Sequence, residues 1–296
     1  MKQQICRVTA CAKLNLTLDI VGKRSDGYHN LRSVMQSVSL TDTVTLRTNG
    51  SGRITLECSA EGVPCDERNI AYKCAVSFYK TARIECTGLH ISIEKNIPMQ
   101  AGLAGGSADG AAVLRGLNEL YGAPLSESSL IGLGASVGAD IPFCLMGGTM
   151  LAQGIGEKLT RLPDIPPCSI VIVKPDVGIS TAQAYSAADA VGFGGDQHTD
   201  RALESLNDLH ALCACLHNGF EEALKIELIG SLTDKLKGFS GCLGSCMSGS
   251  GSAIFAVFES ETNANACAQA LKKEYPFAQT VIPTRAGTFV QIISAE

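Results

Sequence analysis

The chain has 296 residues, of which 45% are hydrophobic and 18% charged, and its formal net charge is −5. This length predicts one large or two ordinary domains, and the composition excludes a disordered chain. The acidic balance argues against nucleic acid or an anionic membrane as partner, and no apolar stretch approaches the roughly 18 residues of a membrane span. The 13 cysteines lack zinc-like spacing. We therefore expect reduced, packed thiols in a cytoplasmic protein.

The first predicted element is a long strand, or a bent pair of strands, over residues 5–22. Lys13 and Asn15 interrupt one face of it, with Asp19 further along, and they mark either a solvent edge or the lining of a cleft. Residues 22–31 follow, with the sequence Gly-Lys-Arg-Ser-Asp-Gly-Tyr-His-Asn-Leu. This segment is either a solvated loop tip or a lip that presents donors and a flat ring to a charged, planar ligand.

Short strands at 34–40, 43–48 and 53–58, separated by turns at Thr41-Asp42 and at residues 49–52, predict an antiparallel start to the domain. Asn69 is expected to cap the helix that follows them. A strand near residues 89–93 then leads into the sequence Lys-Asn-Ile-Pro-Met-Gln-Ala-Gly-Leu-Ala-Gly-Gly-Ser over residues 95–107.

This glycine-rich stretch precedes a helix, for which Ser107 is the predicted N-cap. Glycines let the backbone approach a ligand, and a helix N-terminus presents unpaired N–H groups, so the stretch predicts a phosphate site. A plain strand-to-helix turn is the alternative. Neither the P-loop motif nor the dinucleotide fingerprint is present, so any lysine at the phosphates comes from elsewhere in the chain.

A further helix is predicted from Ser126 to about Gly138, and Asp140 follows it among small and apolar residues. Asp140 is either a helix cap or a desolvated general base. The Pro-rich residues 163–167 place a domain boundary at about 155–165. Beyond it, strands alternate with helices, and a glycine turn lies at 247–252, so this half is predicted to be an α+β sandwich.

Three separated stretches, residues 12–15 with 22–31, residues 98–112 and residues 248–252, resemble the GHMP kinase superfamily, whose phosphate loop has the form P-x-x-x-G-L-x-G-G-S. The resemblance spans nearly the whole chain. It implies an α+β, two-domain GHMP kinase fold: an N-terminal domain like ribosomal S5 domain 2 over residues 1–160, and a C-terminal ferredoxin-like domain over residues 161–296. The active site would lie between the two domains.

Within the superfamily, residues 22–31 discriminate most, with residues 138–143 in support. They resemble the branch that uses ATP and Mg²⁺ to phosphorylate the 2-hydroxyl of a cytidine diphosphate derivative of methylerythritol, in the non-mevalonate route to isoprenoid precursors. The resemblance therefore implies a kinase with a small-molecule substrate and neither a nucleic-acid nor a membrane partner. It leaves the oligomeric state and the metal ligands unknown.

Carried over position by position, the resemblance makes Asp140 the catalytic base and Lys13 its partner. The residues expected to bind ATP are Asn69, Lys95, Pro98, Met99, Gln100, Ala101, Gly102, Leu103, Ala104, Gly105, Gly106, Ser107 and Ala108. The residues expected on the substrate side are Asn15, Tyr28, His29, Thr181 and Tyr185. Three positions depart from the pattern: Ala104 replaces a common Gly, Ala108 a common Ser, and Met35 an aromatic. Ala104 is expected to cost little if its φ is negative.

Two alternatives remain open. The chain could be another small-molecule GHMP kinase, such as a homoserine or mevalonate-type kinase, although residues 22–31 argue against this. It could also be a nucleotide- or metabolite-binding regulator without catalysis, although the presence of both Lys13 and Asp140 argues against that.

Overall fold

The computed structural model describes residues 4–195 and 197–294, and side chains through residue 291. The first part of the chain contains β1 (Gln4–Asn15), β2 (Thr17–Lys23), β3 (His29–Thr48), β4 (Ile54–Cys58), α1 (Ile70–Ala82), β5 (Leu89–Glu94), α2 (Gly105–Leu120), α3 (Glu127–Val137), α4 (Ile141–Met146), β6 (Thr149–Gly154) and β7 (Lys158–Arg161). The remainder contains β8 (Ser169–Lys174), α5 (Thr181–Val191), α6 (Gln197–Glu204), α7 (Leu209–Ala214), β9 (His217–Asn218), α8 (Gly219–Leu224), α9 (Glu227–Lys237), β10 (Cys242–Met247), β11 (Ile254–Phe258), α10 (Glu261–Leu271), β12 (Phe277–Val281) and β13 (Thr288–Ser294). The predicted α+β class is confirmed.

The first sheet is organised around β3, which has 20 residues. It pairs antiparallel with β1, β2, β5 and β6 along different parts of its length. The prediction of two strands separated by a turn at Thr41 and Asp42 is therefore wrong. Both residues lie inside β3, next to the point where the register with β1 shifts between Cys11 and Ala12. A local irregularity in a bent strand replaces the predicted turn.

Helix α2 packs across β1 and β3 and is buried on most of its surface. Its many alanines and glycines let the helix backbone approach the sheet closely. A Cβ at Gly116 would lie 2.7 Å from Leu46 Cδ1 and 2.9 Å from Val8 Cγ2. Close packing thus outweighs the low helix propensity of glycine, and it fixes where the N-terminus of α2 lies.

The second sheet is antiparallel, in the order β10-β11-β8-β12. Strand β8 is an unbroken apolar run because both of its faces are covered. Ile170 and Ile172 belong to the core that the strand shares with the first sheet, whereas Val171 and Val173 pack into a second core with α9 and α10.

The chain returns to the first sheet at its end. Strand β13 pairs antiparallel with β1, and the short β9 pairs parallel with β2. Residues assigned by the sequence to the second domain thus add two strands to the first sheet. A boundary near residue 160, between β7 and β8, remains our proposal for the division of the chain. Among the described residues, no helix combines the length and apolarity needed to cross a membrane.

Candidate active site

A cavity of about 670 Å³ lies between elements from both parts of the chain. The predicted site residues that line it are Lys13, Asn15, Asn69, Lys95, residues 98–107, Asp140, Thr181 and Tyr185. Tyr28, His29 and Ala108 are not among its lining residues. Ala108 is fully buried, and its backbone N–H donates to Ala104 O at 2.9 Å.

The glycine-rich loop is held to the rest of the protein mainly through backbone atoms. Lys13 N donates to Leu103 O at 3.1 Å, and Ala253 N donates to Ala101 O at 3.1 Å. Ser248 Oγ donates to Gly102 O at 3.1 Å. At Gly102 φ is +72°, and an added Cβ would lie 1.9 Å from Ser248 O, so only glycine fits. The turn at 248–252 is therefore the structural partner of this loop.

Helix α2 begins at Gly105 rather than at Ser107, so the predicted N-cap is wrong. The N-cap residue is Ala104, which makes no side-chain capping bond and has φ of 58°. The condition under which Ala104 would cost little, a negative φ, is therefore not met, and the left-handed conformation costs an alanine roughly 1 kcal/mol. The first helical residue packs closely against another segment: a Cβ at Gly105 would lie 2.9 Å from Lys95 Nζ.

The start of α2 has the features of an anion site. Gly105, Gly106 and Ser107 line the cavity, and the first helical turn contains no acidic residue. The unpaired N–H groups and the positive end of the helix dipole therefore meet bound negative charge without a competing carboxylate in that turn.

Lys95 forms a buried ion-pair network beneath this helix start. Its Nζ donates to Asp42 Oδ2 and, at 2.8 Å, to Asp109 Oδ2. Asp42 Oδ1 also accepts from Asn96 N at 2.6 Å and Ile97 N at 2.8 Å. Burial lowers the pKa of Lys95, but Asp109 and Asp42 outweigh burial and the net pKa is raised. Lys95 thus orders the segment that leads into the loop, and its predicted ATP contact stays a prediction.

Asp109 is a site residue that the sequence analysis missed. Its Oδ1 is buried with no hydrogen-bond partner within the described part of the chain, and the residue lines the cavity. Desolvation raises the pKa of this carboxyl to about 7. One signal was available in the sequence, because Asp109 is the only acidic residue in the glycine- and alanine-rich run 101–112.

Lys13 and Asp140 face the cavity from β1 and from the start of α4. The buried Nζ of Lys13 donates to Asn15 Oδ1, whose Nδ2 in turn donates to Ser33 Oγ at 2.7 Å. Asp140 occupies the N-cap position but makes no capping bond, so its carboxylate is not committed to the helix. Burial, with a smaller effect from Asp140, raises the pKa of Cys144, and Lys13 acts on the same thiol in the opposite direction. The charges of Asp140 and Lys13 therefore act on one neighbourhood.

Asn69 caps α1, as predicted. Its Oδ1 accepts from Ala71 N at 2.8 Å, and its Nδ2 donates to Pro64 O at 2.7 Å. Both halves of the amide are therefore engaged in structural contacts, and an ATP contact from this side chain stays a prediction.

The rim of the cavity on the α5 side, called the aromatic rim below, is formed by the rings of His29 and Tyr185 and by the ion pair of Lys23 with Asp189. His29 stacks on Tyr185 with ring centroids 4.6 Å apart, and its Nε2 lies 2.7 Å from Asp189 Oδ1. Lys23 also pairs with Asp189. Tyr28, which precedes His29 in the sequence, is 59% exposed. Burial, with a smaller effect from Asp140, raises the pKa of Tyr185 to about 12.

Asp19 does not line this cavity, although the sequence pattern grouped it with Lys13 and Asn15 as one cleft face. It lines a second, separate cavity. The register of β2 against β3 shifts between Ile20 and Gly22, and β2 is a new strand that begins after Asn15, so the side-chain alternation of β1 does not continue into it.

Comparisons with known proteins agree with this geometry. Residues 69–148 match the family described as the GHMP kinases N terminal domain, and residues 200–276 match GHMP kinases C terminal. The 4-diphosphocytidyl-2-C-methyl-D-erythritol kinase of Acetivibrio thermocellus is 43% identical over 266 residues, which cover 89% of this chain and 93% of the relative.

Solved structures extend the comparison to the fold. A crystal structure of 4-(cytidine 5'-diphospho)-2C-methyl-D-erythritol kinase matches with a TM-score of 0.79 and 31% identity, over 94% of this chain and 98% of that one. Homoserine kinase from Cytophaga hutchinsonii matches with a TM-score of 0.77 and 22% identity, over 98% and 97%. The second likeness concerns the fold alone.

Proposed function

The chain belongs to the GHMP kinases, and on that premise we propose that it transfers the γ-phosphoryl group of ATP to the 2-hydroxyl of 4-diphosphocytidyl-2-C-methyl-D-erythritol, in the non-mevalonate route to isoprenoid precursors. One observation carries the proposal. A single cavity combines an anion-binding helix start, the uncommitted carboxylate of Asp140, the ammonium of Lys13, and Tyr185 from the aromatic rim.

The donor side of the reaction rests on the backbone. Phosphoryl transfer asks little covalent chemistry of a protein and depends on positioning and charge neutralisation. The N–H groups at residues 105–107 are aligned by α2 and held in place by the packing of the loop against 248–252. This preformed arrangement would bind the β- and γ-phosphates of ATP without reorganising at each turnover.

The acceptor side rests on two side chains. Asp140 would accept the proton of the substrate hydroxyl as that oxygen attacks the γ-phosphorus. Lys13, which Asn15 orients through its hydrogen bond, would place positive charge beside the attacking oxygen and the transferred group. Asn15 then acts on the reaction through Lys13 as a positioning residue.

Mg²⁺ is the ion that we propose accompanies ATP. Asp109 lines the cavity that would hold the phosphates, and its buried Oδ1 has no hydrogen-bond partner among the described residues. Such oxygen donors fit Mg²⁺, which binds one or two carboxylates together with substrate phosphates. When bound, the ion offsets negative charge on the phosphoryl oxygens.

The cytidine end of the substrate would bind at the aromatic rim. His29 and Tyr185 form a stacked pair there, and the exposed ring of Tyr28 offers a further flat surface. Aromatic stacking fits a planar base, and ring nitrogens supply hydrogen bonds to its edge. Thr181, whose Oγ1 lies 3.3 Å from Ser250 Oγ, would complete the side of the cavity between the aromatic rim and the glycine-rich loop.

We further propose that the enzyme works in the cytoplasm. All 13 cysteines are free thiols, eight of them buried. Such a count without disulfides supports a reducing compartment, where thiols pack as small hydrophobic groups.

The test of this function is ADP release with the cytidyl-methylerythritol substrate, measured for the wild type and for Asp140→Asn. Loss of a general base should lower kcat by about 10²–10⁴-fold, with the thermal midpoint unchanged because Asp140 makes no capping bond. Asp234→Asn is the matched control, since Asp234 is 83% exposed in its side chain. Near-normal turnover in Asp140→Asn would remove this residue from the role of base.

Lys13→Ala separates catalysis from nucleotide binding. Because Lys13 is placed near the reacting hydroxyl, kcat should fall by about 10²-fold, while the affinity for ATP, measured by calorimetry, should change little. The exposed Lys158→Ala serves as control. The reverse pattern, weak ATP binding with normal kcat, would reassign Lys13 to the nucleotide.

A further inference from the structure

A second cavity, of about 660 Å³, lies outside the proposed active site and contains three potential metal ligands. Asp19 on β2, His198 on α6 and His217 on β9 each offer a ligand atom, and these atoms all lie within 4.8 Å of one another. We propose that Asp19, His198 and His217 form a binding site for a divalent transition-metal ion of the Zn²⁺ type.

The spacing of two of these ligands already suits such an ion. Asp19 Oδ1 lies 3.5 Å from His217 Nε2. A tetrahedral ion with bonds of about 2.1 Å holds its ligand atoms about 3.4 Å apart. The ion would therefore seat between Asp19 and His217 with little movement of either side chain.

His198 completes the site by a side-chain rotation. Its ring stacks on that of His217, with centroids 3.6 Å apart and an interplanar angle of 9°. A metal lies in the plane of each imidazole that ligates it, so one of two parallel rings must turn. His198 is the ring free to do so, because it is half-buried and borders the open cavity.

The surroundings of the ligands match those of metal ligands in general. The other carboxylate oxygen of Asp19, Oδ2, accepts from Thr199 N at 2.8 Å. The other nitrogen of His217, Nδ1, lies 3.5 Å from Glu222 Oε1. A carboxylate behind a ligating histidine fixes the tautomer and the ring orientation and strengthens binding. Asp19 and His217 thus each have an outer contact that leaves the inward atom to the metal.

Charge and ligand type select the ion. Asp19 is only 2% exposed, and a bound cation would neutralise its buried carboxylate. Two imidazoles suit Zn²⁺, Co²⁺ or Ni²⁺ rather than Mg²⁺, which prefers oxygen. The remaining coordination positions face the cavity, so water would fill them and the ion would exchange.

The site would join three segments that are distant in sequence. It also lies next to the aromatic rim, where cytidine is proposed to bind. Phe193 lines this second cavity, and its ring meets that of His29 edge-on, with centroids 5.6 Å apart. Metal binding to the folded state alone would raise the thermal midpoint by mass action.

The test uses chelator-treated full-length protein titrated with Zn²⁺ by calorimetry and with Co²⁺ by visible absorption. The wild type should bind one ion, with the Co²⁺ spectrum of nitrogen and oxygen ligands and a raised thermal midpoint. His198→Ala and His217→Ala should each weaken binding by more than about 100-fold, and Glu222→Gln by about tenfold, as for loss of an outer carboxylate. His210→Ala is the control, since His210 is a 65% exposed residue paired elsewhere.

His198→Ala keeps the test decisive if His217→Ala fails to fold, because the half-buried His198 ring packs only partly into the protein. Absence of one-site binding in the wild type would overturn the proposal, as would unchanged affinity in the His198 variant. A thiolate charge-transfer band with Co²⁺ would place the ion on the cysteines instead, which also overturns it. None of these results depends on kinase activity.

Discussion

The two sides of the proposed active site are built in different ways. The donor wall, residues 98–107 with the turn at 248–252, is held by backbone hydrogen bonds and close glycine packing. The acceptor lip, residues 22–31 with α5, is held by side chains: the stacked His29 and Tyr185, and Asp189 with its contacts to Lys23 and His29. The contrast indicates that the donor wall is fixed by the fold, whereas the lip is set by a few replaceable residues.

This difference has a functional reason. Every kinase of this fold must hold the same phosphates, and backbone N–H groups serve that purpose whatever the surrounding side chains are. The acceptor differs from one kinase to another, so the groups that recognise it must be free to vary. Substitutions in the two regions should therefore change different kinetic constants.

Of the substitutions that test this difference between the two sides, Gly102→Ala should have the largest effect on turnover. A Cβ there would lie 1.9 Å from Ser248 O at a positive φ, so the donor wall must shift. Displacement of a positioning element by about 1 Å costs about 100-fold in rate. We expect kcat/KM for ATP to fall by about that factor in ADP-release assays. The affinity for the cytidyl substrate, measured by calorimetry without ATP, should change by less than about threefold.

Gly122→Ala is the matched control for this variant. Gly122 also has a positive φ, +74°, but nothing lies within 4 Å of the added Cβ. It shares the backbone strain without the collision. Equal loss of ATP turnover in both variants would mean that general destabilisation, rather than the donor wall, explains the result.

Tyr28→Ala should act on the other side only. Removal of a ring that stacks on a base costs roughly 1–3 kcal/mol, so KM for the cytidyl substrate should rise about 5- to 150-fold. KM for ATP and the thermal midpoint should not change, because the ring is 59% exposed. Phe289→Ala, which removes a ring that is 50% exposed elsewhere, is the control. A change in KM for ATP instead would contradict the separation of the two sides.

Asp189→Asn should have the smallest effect. Its hydrogen bonds from Lys23 and His29 lower the pKa of Asp189, but the carboxylate lies at the surface, where ion pairs are screened by water and salt. KM for the cytidyl substrate should rise less than about fivefold, and the effect should shrink as ionic strength increases. An effect that persists in high salt would show that Asp189 positions His29 by geometry rather than by charge.

The sequence predicted those parts of the site that have local signatures. Ser126 begins its helix as expected and caps it by accepting from Ser129 N, because a cap involves neighbours three residues away. The glycine loop and Asp140 were likewise singled out by composition and order. Ser107 is not the cap because α2 already begins at Gly105, in a place that needs glycine for its contact with Lys95 from another segment.

The parts that the sequence did not predict depend on contacts between distant residues. Asp42 and Lys95 are separated by 53 positions, and a charged residue inside a long strand has the same local pattern as a turn. His198 and His217 meet Asp19 only after α6 and β9 pack against β2. Neither cluster has a fixed spacing in the sequence, so only the folded chain reveals them.

The most direct test of the account is an acceptor panel for the wild-type enzyme. ADP release would be measured with the cytidyl-methylerythritol substrate, homoserine and mevalonate at equal concentrations of ATP and Mg²⁺. A site that hydrogen-bonds and stacks on one substrate rejects acceptors lacking those groups by about 10⁴-fold, so we expect turnover with the cytidyl substrate alone. Comparable turnover with homoserine or mevalonate would contradict the claim that residues 22–31 select the acceptor.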